Sequence, residues 1–164
     1  MTARRVGWGL LTLLTVAVYA ALLWLGNLHL YVGPDRLPPF DVRLLGYSLA
    51  EAQAYLTELH PVQRNIYAGP IRLLDSLFPL LFAVWIWVTL WALGAWRVAL
   101  IAPIYLGLDL GENVLVARIL EAGAEGVTAD MVGWASLLTV AKFAAVGLAL
   151  IALGHAGLRR WGKL

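Results

Sequence analysis

Four apolar runs, each about the 20 residues that one helical crossing of a bilayer needs, constrain this chain more than any other feature. They fall at residues 6–25, 74–93, 98–119 and 132–153. A soluble domain is about 25% charged, whereas here 13% of residues are charged, 62% are hydrophobic and the mean hydropathy is +0.80. Lipid offers no partner to backbone N–H and C=O groups, so only helices and closed barrels cross it. Runs of this length suit helices, since barrel strands span with about 9–11 residues. The expected fold is all-α and integral to the membrane: a four-transmembrane-helix bundle, one domain over residues 1–164, with an external amphipathic helical loop at residues 26–73 between spans one and two.

Arg4 and Arg5 ahead of the first run resemble the start of a signal peptide, and Val18-Tyr19-Ala20 fits a cleavage site. The apolar stretch continues through Leu25, longer than an ordinary signal core, so an uncleaved first span is expected. Thr12, Thr15 and Tyr19 share one of its faces, which is expected to turn inward. The alternative for the two threonines is that their hydroxyls bond their own helix backbone.

Charge sets an expected orientation. Arg4, Arg5, Arg97, Arg159, Arg160 and Lys163 fall at one end with no acid among them. The other end holds Asp35, Asp41, Glu51, Glu58, Asp75, Glu121, Glu125 and Asp130. Lys and Arg gather in short cytoplasmic segments, so both termini are expected inside. Trp96 and Trp161 then belong to the inner interface, and Trp24 and Trp134 to the outer one. The pI near 9.2 follows from this topology and does not imply nucleic acid.

In the external loop, Ser48 and Glu51 form a capping box opening a short helix to about His60, with Leu49, Ala52, Tyr55 and Leu56 as its apolar face. Gly69-Pro70 leads into the second span, and Pro79 and Pro103 are expected to kink spans two and three. Residues 121–130 read as the turn before span four, with Thr128 or Asp130 as its N-cap.

The third span is unlike the others. Its sequence, RVALIAPIYLGLDLGENVLVARILE, puts Asp109, Glu112 and Asn113 mid-membrane, on one helix face with Tyr105. Gly107 and Gly111 form a small-xxx-small pair on roughly the opposite face, where another helix can approach closely. This helix is expected at the centre of the bundle. Ionisable groups inside a span cost about 2.5–3.5 kcal/mol each on insertion scales and so face a partner or water. Depth points to the partner: Asp109 lies about 18 Å above Arg97 and Lys142 about 18 Å above Gly154, at about 1.5 Å per residue. Glu112 and Asn113 lie one turn further out, toward Asp75 of span two.

Two readings follow. In the structural one, Asp109 or Glu112 pairs with Lys142 and Asn113 bonds across to a neighbouring helix, fixing register without chemistry. In the functional one, three acids face one lysine, with Arg72 and Arg118 reaching from the outer edge. The excess acid, Asp109 or Glu112, is then a candidate catalytic general acid or a proton carrier. Asp75, Glu112, Asn113 and Lys142 are expected to line one cavity opening outward beneath the helix at residues 48–60.

Other chemistry is narrowed by what the chain lacks. With no cysteine, thiolate catalysis, disulfide exchange and Cys-bound zinc or iron–sulfur clusters are excluded. His29, His60 and His155 lie at span ends or in loops, so neither a bundle haem nor activation of Ser76 or Ser136 is expected. Asp75, Asp109, Glu112 and Asn113 offer hard oxygen ligands, but no DxxD, HxxxH or HExxH spacing accompanies them and Lys142 competes for their charge. No metal and no cofactor are expected.

The run GYSLAEAQAYL, then Tyr67, LLDSLFP and LDLGEN resembles an uncharacterised group of small four-span bacterial inner-membrane proteins, over roughly residues 40–113. The resemblance implies the four-span fold and the importance of Tyr67, Asp75, Asp109, Glu112 and Asn113. It brings no activity, substrate or cofactor. With Tyr105 and Lys142 these residues make up the expected binding pocket. The expected function is a lipid- or partner-binding accessory protein, its partners being membrane lipid, another membrane protein or a second copy of the chain. The alternatives are an enzyme using Asp109 or Glu112 on a lipid-like substrate, and a proton-coupled transporter acting as a dimer.

Overall fold

The computed structural model describes residues 3–162, so Lys163 of the basic end lies outside the described residues. Six α-helices follow one another: α1 (Ala3–His29), α2 (Leu49–Glu58), α3 (Pro61–Ile66), α4 (Arg72–Ala92), α5 (Ile101–Gly126) and α6 (Ala129–Trp161). Among the described residues there is no strand, only an isolated bridge pairing Val32 with Leu37. Four helical stretches are long and apolar enough to cross a membrane: Ala3–His29, Pro61–Ala92, Val98–Gly126 and Ala129–Trp161. The protein is a multi-pass, all-α four-helix membrane bundle.

Three boundaries differ from those expected. The second crossing begins at Pro61, because Gly69-Pro70 does not break the helix. Pro70 has no N–H and its ring crowds the carbonyl four residues back. The chain absorbs this as a π-helical turn over Tyr67–Ile71, in which the N–H of Arg72 reaches the carbonyl of Tyr67. Pro103 lies in the first turn of α5, after a 3-10 turn at Val98–Leu100, where a missing N–H is tolerated, so it does not kink the middle of a span. The turn expected at residues 121–130 is mostly helix. α5 runs to Gly126 with a break at Gly123 (φ 68°, ψ −176°), and Thr128 caps α6 by accepting from Met131 N. α6 has 33 residues, about 50 Å at 1.5 Å per residue, so it projects beyond a core of about 30 Å.

α5 is central, packing on α4, α6 and α2. Its glycine face is only partly used: Gly111 backs onto Leu138, while a side chain at Gly107 would meet nothing within 4 Å. α1 packs chiefly on α4, through two reciprocal bonds. Trp8 Nε1 donates to Thr89 Oγ1 (3.0 Å) and Trp85 Nε1 donates to Thr12 Oγ1 (2.9 Å). An indole N–H needs an acceptor where water is absent, and these pairs supply it between the two helices. Thr12 and Thr15 also donate to backbone carbonyls one turn back (2.9 and 2.8 Å). Tyr19, expected to face inward, is 44% exposed. Arg160 Nη1 donates to the carbonyl of Ala92 (2.5 Å), a cation on the C-terminal end of α4. This bond and the Trp8–Thr89 pair bring Arg4, Arg5, Arg97, Arg159 and Arg160 to one end of the bundle. Trp96 and Trp161 are exposed at that end, and Trp24 and Trp134 at the other.

The loop end is itself a packed layer. Phe40, Tyr55 and Ile71 are fully buried there, and Tyr55 donates to Leu30 O (2.8 Å). Gln63 Nε2 donates to His29 O (2.9 Å), satisfying a carbonyl at the end of α1. Gly46 has φ +82° and a Cβ there would stand 2.5 Å from Ser136 Oγ, which accepts the N–H of Tyr47 (2.8 Å). Only glycine suits both demands.

α2 opens on the expected capping box, Ser48 accepting from Glu51 N and Glu51 accepting from Ser48 N. Its face of Ala52, Tyr55 and Leu56 is buried. The bonds from Ser48 hold the Glu51 carboxyl below its ordinary range. A depressed folded pKa adds stability above the unfolded value, about 4.3, which is lost as pH falls through the folded value. Ser48→Ala is expected to destabilise α2 by about 1 kcal/mol and to flatten that acid limb. Hydrogen exchange of the α2 amides against pH reads both effects.

Candidate functional site

The charges of α5 and α6 meet as their depths indicate. Lys142 Nζ lies 3.1 Å from Asp109 Oδ1 and also pairs with Glu112, so the lysine serves both acids rather than one. Glu112 is fully buried, and its Oε1 accepts from Thr139 Oγ1 (2.5 Å). Asp109 is 4% exposed, and its Oδ2 has no partner. Arg72 and Arg118 do not reach this group: both are exposed, and the only ion pairs among the described residues are those of Lys142.

Asn113 has a local reason to exist. Pro79 cannot donate to the carbonyl four residues before it, which is that of Asp75. Asn113 Nδ2 donates to Asp75 O instead (2.9 Å), closing the gap from the neighbouring helix. α4 continues through Pro79 to Ala92. Asn113→Leu is expected to cost about 1–3 kcal/mol, by leaving a buried carbonyl unpaired. Adding Pro79→Ala, which restores the donor, is expected to recover most of that loss. Denaturant titration of the four variants in detergent measures it, and equal losses with and without Pro79→Ala would remove this role for Asn113.

A cavity of about 770 Å³ lies between α1 on one side and α4, α5 and α6 on the other. Its α1 wall includes Thr15, Tyr19, Leu22 and Leu23, and its opposite wall includes Phe143 and Val146. Asp75, Tyr105, Asp109 and Lys142 of the expected pocket line it. Glu112 and Asn113 do not: one is sealed between α5 and α6, the other spent on the Asp75 carbonyl. Tyr67 does not line it either. It is 3% exposed, accepts from Phe40 N (3.2 Å) and donates to Asp41, which does line the cavity. The mouth also differs from expectation. α2 lies against α5 and α6, and the loop residues Leu30, Tyr31, Pro39 and Asp41 border the cavity instead.

Sequence reasoning missed Asp41 and the aromatic wall. Phe78 stacks on Tyr19 (4.8 Å) and on Phe82 (5.4 Å), which meets Tyr105 edge-on (5.5 Å). The signal was present in α4, where Asp75, Phe78 and Phe82 stand at i, i+3 and i+7 on one face. The Asp75 carboxylate makes no hydrogen bond or ion pair among the described residues, although the side chain is 8% exposed. Ser76 donates to its own helix and Ser136 accepts from Tyr47, so both hydroxyls serve the backbone. Among the described residues no three His, Asp or Glu side chains converge as a metal site. Around α2, burial and then the charge of Glu112 push the Tyr47 hydroxyl above its ordinary range, and burial does the same to Tyr55.

Fold and site together define a class: a four-span α-helical membrane protein with a largely apolar cavity beside a buried acid–lysine cluster. No protein-family model, curated protein or solved structure matches the chain.

Proposed function

We propose that the chain is a lipid-binding protein of the bacterial inner membrane, holding one amphipathic molecule between α1 and the other three spans. The observation that carries the reading is the cavity. Its volume falls in the range of about 300–1,000 Å³ that small-molecule sites occupy. Its walls are mostly aliphatic and aromatic, and its polar groups, Asp41, Asp75, Asp109 and Lys142, are few. α1 is held chiefly by α4, and on this reading its other flank stands open to the bilayer and admits lipid sideways. Both termini face the cytoplasm, which the one-sided basic residues favour.

A second reading, general acid–base chemistry on the bound lipid, is favoured by the unpartnered Asp109 Oδ2. It assigns that role to Asp109 and not to Glu112, which is sealed from the cavity.

Mass spectrometry of the protein released from native membranes in mild detergent tests the proposal. Wild type is expected to carry lipid at a fixed ratio, and Val146→Trp, which fills the cavity, is expected to lose roughly tenfold of it, an affinity loss of about 1.4 kcal/mol. Equal lipid on a folded Val146→Trp protein would contradict the proposal.

A further inference from the structure

Resting on the cavity reading, we infer that the occupant is a cationic amphiphile, whose ammonium group sits against the Asp75 carboxylate and the aromatic faces beside it. Three independent observations converge. The first is charge. Among the described residues Lys142 is the one cation lining the cavity, and Asp109 and Glu112 already pair with it. The two remaining acids, Asp75 and Asp41, have no ion-pair partner among the described residues, so the polar wall has more acidic groups than cations to pair them. The one further cation against the lining among the described residues, Arg36, is held at the loop end on Asn27 Oδ1 (3.1 Å) and over the Tyr31 ring (5.2 Å), so an anionic headgroup placed beside Asp75 would meet carboxylates.

The second observation is the state of the acids themselves. Asp75 is more than nine-tenths buried, lines the cavity and spends no side-chain oxygen on the protein; only its backbone carbonyl is bonded, to Asn113. Asp109 Oδ2 is likewise buried and unpartnered beside it. Buried polar groups ordinarily carry partners, and a carboxylate inside a bundle is costly without one. A cation arriving with the ligand supplies what the protein withholds.

The third observation is aromatic. Phe78 and Phe82 follow Asp75 along the same face of α4, and Tyr19 and Tyr105 pack on them. The faces of such rings attract cations, and a desolvated ammonium is where that attraction is largest. Carboxylate and ring faces together favour an ammonium over a neutral polyol, which would gain the hydrogen bonds alone. The remaining apolar walls take the chain of the amphiphile.

The test uses the full chain, purified in a non-ionic detergent, and three probes with one tetradecyl chain length: a trimethylammonium, a phosphate and a glycerol ether. Each is titrated against the protein and its binding is followed by tryptophan fluorescence, with Val146→Trp as the blocked control. The trimethylammonium probe is expected to bind at least tenfold tighter than the phosphate. Asp75→Asn is expected to remove most of that preference, Asp75→Glu to keep it, and Phe82→Leu to weaken the ammonium probe selectively. Asp75→Asn keeps the backbone carbonyl that Asn113 uses, and its melting curve shows whether the fold persists. If it does not fold, Asp75→Glu and Phe82→Leu carry the comparison. Phosphate or glycerol ether binding as tightly as the ammonium, while Val146→Trp blocks all three, would overturn the charge inference and leave the lipid cavity standing. Binding of all three unaffected by Val146→Trp would overturn both.

Discussion

Lys142→Met is expected to destabilise the bundle by about 3–5 kcal/mol, the range for removing one partner of a buried ion pair. Two carboxylates lose their counter-charge at once. Glu112 has no route to water, being fully buried with one oxygen already on Thr139, and Asp109 keeps an oxygen that was unpartnered from the start. The loss is therefore expected to be relieved by neutralising the acids. Lys142→Met with Glu112→Gln should be more stable than Lys142→Met alone, and adding Asp109→Asn should bring the protein near or above wild type, because apolar or neutral replacement of a whole buried ionic group is often harmless. Titration with a denaturing detergent, read as midpoints across the series, measures this coupling. A Lys142→Met protein within about 1 kcal/mol of wild type would mean that the three side chains do not form one network.

Phe40→Ala is expected to cost the loop layer about 3–5 kcal/mol, as for other fully buried aromatic side chains. Phe40 is fully buried, its ring 4.9 Å from that of Tyr55 and 5.0 Å from that of Tyr47, with the Arg43 guanidinium 5.5 Å from its centroid. Its N–H also donates to Tyr67. Pro39 and Asp41 on either side line the cavity, so this one ring anchors the segment that borders the mouth. The effect should be local: α5 and α6 keep their exchange protection while amides of residues 30–59 lose theirs, and the loop becomes open to protease. Global unfolding at the same denaturant strength as wild type, with unchanged loop protection, would show that the layer does not depend on Phe40.

What the sequence made readable follows the kind of interaction involved. Lys142 with Asp109 was readable by matching depth along two antiparallel rods, since rise per residue is nearly constant in a helix, whereas Glu112, one turn further out, was offered only as an alternative partner and pairs as well. The Ser48 and Glu51 cap was readable because it is local, a contact within one turn. Asp41 was missed because it lines the cavity from a loop, held there by the hydroxyl of Tyr67, 26 positions along the chain, and loop paths carry no periodicity. Gly69-Pro70 read only as the lead into the second span because the π-helical turn that carries the helix through it is not written in residue type. Asn113 was singled out as a buried polar residue, but its partner is a backbone carbonyl freed by Pro79, which side-chain chemistry alone does not reveal. The aromatic face of α4 was visible at i, i+3 and i+7 but was indistinguishable from ordinary lipid-facing apolarity until Tyr19 and Tyr105 were seen to pack on it.

A lipid-binding bundle of this kind must admit lipid to the space between α1 and α6. A photoreactive fatty acid, incorporated into the membrane lipids and activated around the full-length protein, labels whatever side chains the acyl chains touch. Peptide mapping is then expected to find label on Tyr19, Phe78 and Phe143, which line the cavity, besides the outer surface at Leu13 and Ile151, which are 67% and 70% exposed. Val146→Trp should remove the first set and leave the second. Label confined to Leu13, Ile151 and other outward residues in the wild-type protein would contradict the claim that this bundle holds a lipid within it.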